Sequence, residues 1–137
     1  MFITPKLDSV RFLYVIFMKN LSLKDKFGWI KVDGKKYEKD IIIHSDGSIT
    51  KREKKKSKDL KTEYGHTPLS ELELDFLAQE KFEALYIGTG HDCALPITPE
   101  AVEILKKYYA VIASTPEVIV KIEQEKKKFV AIIHITC

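Results

Sequence analysis

Cysteine is scarce in this sequence: Cys93 and Cys137 are the only two among 137 residues. Two thiols cannot build the disulfide framework of a small secreted domain, and abundant lysine with reduced thiols leads us to expect a cytoplasmic protein. Neither cysteine lies in a CxxC, and the four histidines form no HxxxH, so the usual zinc spacings are missing and no metal or other cofactor is expected. Glycine and proline are also few, at six and five residues. They leave no linker-like stretch to divide the chain, and nothing repeats at solenoid period. No apolar run approaches the ~20 residues needed to cross a bilayer. The longest, Phe12 to Met18, follows Lys6 and Arg11 and faintly imitates a signal peptide, but Lys19-Asn20 stands where small cleavage-site residues are required. No membrane partner is expected. Met18 offers an alternative start, which would make 1–17 an N-terminal extension and 18–137 a single domain.

What is present fits one core. With 45% hydrophobic and 31% charged residues, the chain can bury one core and is too short for two comfortable domains. A net charge of +3 falls short of the basic excess that phosphate neutralisation demands, so nucleic acid is not the expected partner. The run Lys51 to Lys61 is almost wholly charged and carries no aromatic residue to stack on a base. It reads as a solvated strand edge or loop that also discourages aggregation, with a patch for an anionic partner as the alternative.

The first half reads as antiparallel β ribbon. Trp29-Ile30-Lys31-Val32 and Lys35-Lys36-Tyr37 flank Asp33-Gly34, a pair suited to a type I′ turn. Ile41-Ile42-Ile43 and Ser48-Ile49-Thr50 flank a second turn at Asp46-Gly47. Beyond Gly65-His66 the rhythm changes. Thr67-Pro68, Thr98-Pro99 and Thr115-Pro116 each combine an N-cap threonine with a proline suited to the first helical position, which predicts three helix starts. Leu69, Leu72, Phe76 and Leu77 would line the first helix, with Glu71, Glu73 and Asp75 on its solvated side. Consecutive apolar residues at Ala84–Ile87, Ala110–Ala113 and Phe129–Ile133 predict strands covered on both faces, as in parallel sheets. The second half is therefore β-α-β-α-β, and right-handed crossovers would bring its strands' carboxyl ends to one edge.

That edge is where ligands settle in open α/β sheets. It would gather Gly88-Thr89-Gly90, Ser114-Thr115 and His134-Ile135-Thr136-Cys137, with His66 joining only if the fold brings it close. Gly88 and Gly90 would permit positive φ and close approach of a ligand. The pattern departs from a dinucleotide fingerprint, because Cys93 stands where a third glycine belongs and the helix is delayed to Thr98. Anion binding and a purely local turn both remain open for this loop. Cys137 and His134 are three apart, so alternation puts them on opposite faces of a strand and a direct Cys–His pair is not expected. A thiol nucleophile would need a cation or helix N-terminus beside it. No catalytic residue is assigned.

The order of these pieces resembles a small domain family of unresolved function. The resemblance runs over Trp29-Ile30, Ser45-Asp46-Gly47-Ser48, Gly65-His66, Ile87-Gly88-Thr89-Gly90, Thr115-Pro116-Glu117 and His134-Ile135-Thr136-Cys137. That family occurs in archaea and bacteria, and its eukaryotic members include a mitochondrial complex I assembly factor and an adipogenesis-associated domain protein. The resemblance implies a three-layer α/β fold with a central, mostly parallel mixed sheet, flanking helices and an added N-terminal β ribbon. It implies no established reaction. The expected function is accordingly a protein-binding or assembly-type factor without turnover, whose partner is another protein. The alternative is a small-molecule or anion site at the strand ends, built on Gly88, Thr89, Gly90, Ser114, Thr115, His134, Thr136, Cys137 and His66.

Overall fold

The computed structural model describes residues 21–92 and 95–136. The apolar run before Met18, both cysteines and the 1–17 boundary lie outside the described residues. Two sheets form among the described residues. β1 (Leu23–Lys26), β2 (Trp29–Val32) and β3 (Lys35–Tyr37) make an antiparallel ribbon in that order. Asp33 and Gly34 both take positive φ, 50° and 85°, as a type I′ turn requires, and the Asp33 carboxylate accepts the Ser22 N–H at 2.8 Å.

The second hairpin leaves the ribbon. β4 (Ile41–Ile43) and β5 (Ile49–Lys51) join β6 (Ala84–Thr89), β7 (Val111–Ala113) and β8 (Phe129–His134) in a five-stranded sheet of order β5-β4-β8-β6-β7. β6 runs parallel to both β7 and β8, whereas β4 is antiparallel to β8 and β5. Ile41, Ile42 and Ile43 are all buried, which explains the change of place: a strand apolar on both faces cannot stay in a solvated ribbon.

Strand alternation divides the core in two. Ile41, Ile43, Tyr86, Phe129, Ala131 and Ile133 point to one face, where they pack with the ribbon and with Val118, Ile119 and Ile122 of one helix. Ile42, Leu85, Ile87, Val130 and Ile132 point to the other, against Leu69, Leu74, Leu77, Ala101 and Leu105. The architecture is thus three-layered, as the resemblance implied. Glycine 28, in the β1–β2 turn, donates to the Ile135 carbonyl at 2.8 Å and ties the ribbon to the end of β8.

Of the three expected helix starts, two hold. α2 (Pro99–Lys107) begins at Thr98, whose Oγ1 accepts the Ala101 N–H at 3.2 Å. α3 (Thr115–Gln124) begins one residue earlier than expected, because Ser114 is its N-cap and leaves Thr115 free for other bonds. The start at Thr67-Pro68 fails. Leu69 bridges Ile97 instead, donating to the Pro96 carbonyl at 2.8 Å and accepting from Thr98 N–H at 3.0 Å, which uses the backbone a helix would need. Two short 3₁₀ turns follow, Glu71–Glu73 and Asp75–Gln79. The charged run is more ordered than expected, forming a 3₁₀ segment, Lys54–Leu60, that ends in a single helical turn, α1 (Lys61–Tyr64). β7 differs too. It is an edge strand with Val111 and Ile112 exposed rather than covered on both faces.

Candidate functional site at the carboxyl rim of the sheet

Parallel pairing of Thr89 with His134 and of Gly88 with Ala113 sets the ends of β6, β7 and β8 on one rim. Thr115 joins them. Its hydroxyl accepts the Gly90 N–H at 3.0 Å and donates to the His134 carbonyl at 2.6 Å, while its own N–H donates to the Gly90 carbonyl at 2.9 Å. The two glycines serve this contact differently from expectation. Gly90 takes φ +102°, but Gly88 is not in the positive-φ region; a Cβ there would lie 2.8 Å from Thr115 Oγ1. Thr89 Oγ1 donates to the Ala113 carbonyl at 3.1 Å, and Ser114 caps α3. The Gly-Thr-Gly loop therefore closes around Thr115, and its backbone is occupied by the protein itself.

On the β4 side of the rim lies a buried ionic cluster. Asp40, just before β4, accepts from His134 Nδ1 at 2.8 Å, from the Ile135 N–H at 3.1 Å and from Arg52 Nη1 at 3.0 Å. Arg52, just after β5, also donates from Nε and Nη2 to both oxygens of Glu73, at 2.7 and 2.9 Å, and from Nη2 to the Pro68 carbonyl at 2.8 Å. Ser57 donates to Glu73 and shares a hydrogen bond with Ser70. The guanidinium is 1% exposed, so its planar fork is satisfied almost entirely by protein acceptors. Burial by itself would raise the Asp40 carboxyl, but the hydrogen bond from His134, then the Arg52 charge and the Ile135 N–H, outweigh it and hold Asp40 below the usual carboxylate range. Burial would likewise lower Arg52, yet Glu73 and then Asp40 keep it raised.

Two sequence expectations are corrected here. Arg52 was read into a solvated run and Glu73 into a solvated helix face, yet both are buried, at 5% exposure each. Their spacing carries no sign of pairing, because the contact spans 21 positions. The only local hint was Asp40 directly before an all-apolar strand.

Above this cluster a cavity of about 580 Å³ opens between Lys39, the Lys51–Lys56 segment and Ile135-Thr136, with Asp40 and Arg52 in its floor. Five lysines line it against two exposed glutamates, Glu38 and Glu53, and Lys56 pairs with Glu53 at 3.1 Å. No aromatic side chain lines the cavity among the described residues. Thr136 reaches it, with Oγ1 3.3 Å from His134 Nε2. Of the residues singled out from sequence, the structure thus brings Gly88, Thr89, Gly90, Ser114, Thr115, His134 and Thr136 to one rim. His66 is exposed beyond α1 and makes no hydrogen bond, ion pair or ring contact with them. Cys137 lies outside the described residues. No cluster of three or more His, Cys, Asp or Glu able to hold a metal occurs among the described residues, and none of their helices is long and apolar enough to cross a membrane.

A small three-layer α/β domain with this mixed sheet and ribbon has solved counterparts. The protein MT938 is 32% identical, with the alignment covering 86% of this chain and 100% of that one at a TM-score of 0.69. A conserved hypothetical protein of Pyrococcus horikoshii, PH1505, is 31% identical over 85% of this chain and all of its own, at 0.73. The chain belongs to their family, that of the Mth938-like domain. A Mth938-like domain from Bordetella pertussis, 17% identical over 85% of this chain and 87% of its own, shares the fold at a TM-score of 0.51. No family model and no curated protein matches the chain.

Proposed function

We propose that this domain binds a small anionic, non-aromatic ligand in the lysine-walled cavity at the carboxyl rim, without turnover. The observation that carries this reading is the meeting of five lysines over a floor in which Arg52 is already held by Asp40 and Glu73. Lysine ammonium groups on flexible stems suit phosphate, sulfate or carboxylate groups as point charges, and a concave site between like charges concentrates anions. The missing stacking surface argues for a ligand without a nucleobase. The test is thermal denaturation with a panel of mono- and polyvalent anions at constant ionic strength. Selective binding to the folded state raises the melting temperature. Polyvalent anions should raise it in the native chain and lose the effect in Lys51→Glu/Lys54→Glu/Lys55→Glu. Equal shifts in both proteins would mean a general salt effect and end the reading.

A second reading, an assembly-type factor that docks on another protein, is favoured by the β7 edge. There Tyr109 (91% exposed), Val111 and Ile112 stand in solvent. Tyr109 also takes φ +54° in the turn that ends α2, a position that favours glycine. The resemblance to a family whose eukaryotic members include a complex I assembly factor points the same way. Co-purification with a partner that is lost in Ile112→Lys would support it; recovery of the free chain alone at several salt concentrations would count against it.

A further inference from the structure

Beside Asp40 and Arg52 in the cavity floor, the Thr136 hydroxyl links the cavity to His134, and the hydrogen bonds there have a direction. Asp40 is held ionised by Arg52 and the Ile135 N–H, so its oxygens only accept. The hydrogen between Asp40 and His134 therefore sits on Nδ1. In the neutral ring Nε2 is then a lone pair, and the Thr136 hydroxyl, 3.3 Å away, donates to it. A hydroxyl used in this way presents only lone pairs to the cavity, which repel an anion. A proton on Nε2 turns the contact round: Nε2–H donates to Thr136 Oγ1, and the hydroxyl hydrogen is released to point at a ligand.

Charge pushes the same way. Two carboxylates and one guanidinium leave the buried cluster with one negative charge in excess while His134 is neutral. An anion entering beside Asp40 adds a further negative charge next to that excess, and protonating His134 offsets it. Among the described residues no other ionisable group bonds the ring. Its register partner on β6 is Thr89, α3 contributes the Thr115 hydroxyl to its carbonyl, and β4 and β5 contribute Asp40 and Arg52 at their ends.

We infer that the cavity takes its anion together with one proton, accepted from water by His134 Nε2, and that Thr136 is the hydroxyl that reports this proton to the ligand. The inference rests on the anion-binding reading above. It makes the domain a proton-coupled binder: occupancy rises as pH falls through the histidine range, and occupancy itself draws a proton from solution.

Titration calorimetry with sulfate and propane-1,3-disulfonate, whose charges are fixed between about pH 5.5 and 8.5, reads this directly when repeated in buffers of different ionisation enthalpy. The native chain should take up close to one proton per anion towards the alkaline end of that pH range, with affinity falling up to about tenfold per pH unit there. In His134→Gln the uptake should vanish and the residual affinity should no longer depend on pH. Thr136→Val should bind more weakly, and Thr136→Ser should restore both affinity and uptake. Anion binding without proton uptake in the native chain would overturn this inference and leave the cavity reading standing. Failure of both anions to bind would overturn the cavity reading and this inference with it.

Discussion

The central sheet carries an acid–histidine–threonine chain at each end, and the two are built from the same residue types with opposite surroundings. At the carboxyl rim Asp40, His134 and Thr136 are joined to Arg52, Glu73, Ser57 and Ser70, all buried except Thr136, which reaches the cavity. At the other end of β4, Glu80 contacts His44 Nδ1 at 2.5 Å and the N–H and hydroxyl of Ser45, while His44 Nε2 contacts Thr50 at 2.7 Å. Three residues of β4 separate Asp40 from His44. The second chain remains 16–18% exposed over a smaller cavity, and no arginine among the described residues joins it. A carboxylate–imidazole–hydroxyl line is thus common furniture for satisfying polar groups at strand ends. What distinguishes the carboxyl rim is a fixed guanidinium beneath the line and five lysines above it.

The comparison is broken most severely at Arg52. Arg52→Met strands two buried carboxylates and should cost about 3–5 kcal/mol in urea denaturation. A loss below about 1 kcal/mol would mean that the cluster is hydrated and the two rims alike. Gly88→Ala pushes a methyl into Thr115 and should cost about 1–3 kcal/mol by overpacking, measured the same way. At the opposite rim, Glu80→Gln removes a partly solvated pair and should cost about 1 kcal/mol or less. The smallest expected effect is a difference in acid slope. Asp40 and Glu80 are both lowered, Glu80 because the Ser45 N–H and the His44 and Ser45 side chains outweigh its burial. A lowered carboxyl stabilises the fold above its unfolded pKa, and that stability is lost as pH falls through the folded one. Stability should therefore drop below about pH 4, and Asp40→Asn should flatten that drop more than Glu80→Gln. Chemical denaturation at a series of acid pH values measures both.

Local rules served well where local residues decide the structure. Asp33-Gly34 makes its hairpin, Thr98-Pro99 opens α2, and the apolar run at Phe129–Ile133 is a strand buried on both faces. They failed where distant groups claim the backbone. Thr67-Pro68 has the form of a helix start, but Leu69 pairs with Ile97. Thr115-Pro116 has the form of a cap and first helical residue, but Ser114 takes the cap, and only the register of β6 against β8 brings Thr115 between Gly90 and His134. The rim's polar loops were legible because parallel crossovers force them together. The Arg52–Glu73 pair was not, since a lysine-rich run and an acidic turn each read as solvated when taken alone. The cavity follows from that hidden pair, because Arg52 at its floor anchors the start of the lysine segment.

The most direct measurement is an amide chemical-shift titration of the native chain with propane-1,3-disulfonate at mildly acidic pH. The expected result is saturable shifts concentrated at Asp40, Arg52, Ile135, Thr136 and the Lys51–Lys56 segment, with the His44–Ser45–Glu80 rim unmoved. Shifts confined to that opposite rim, or spread evenly over surface lysines without saturation, would contradict it.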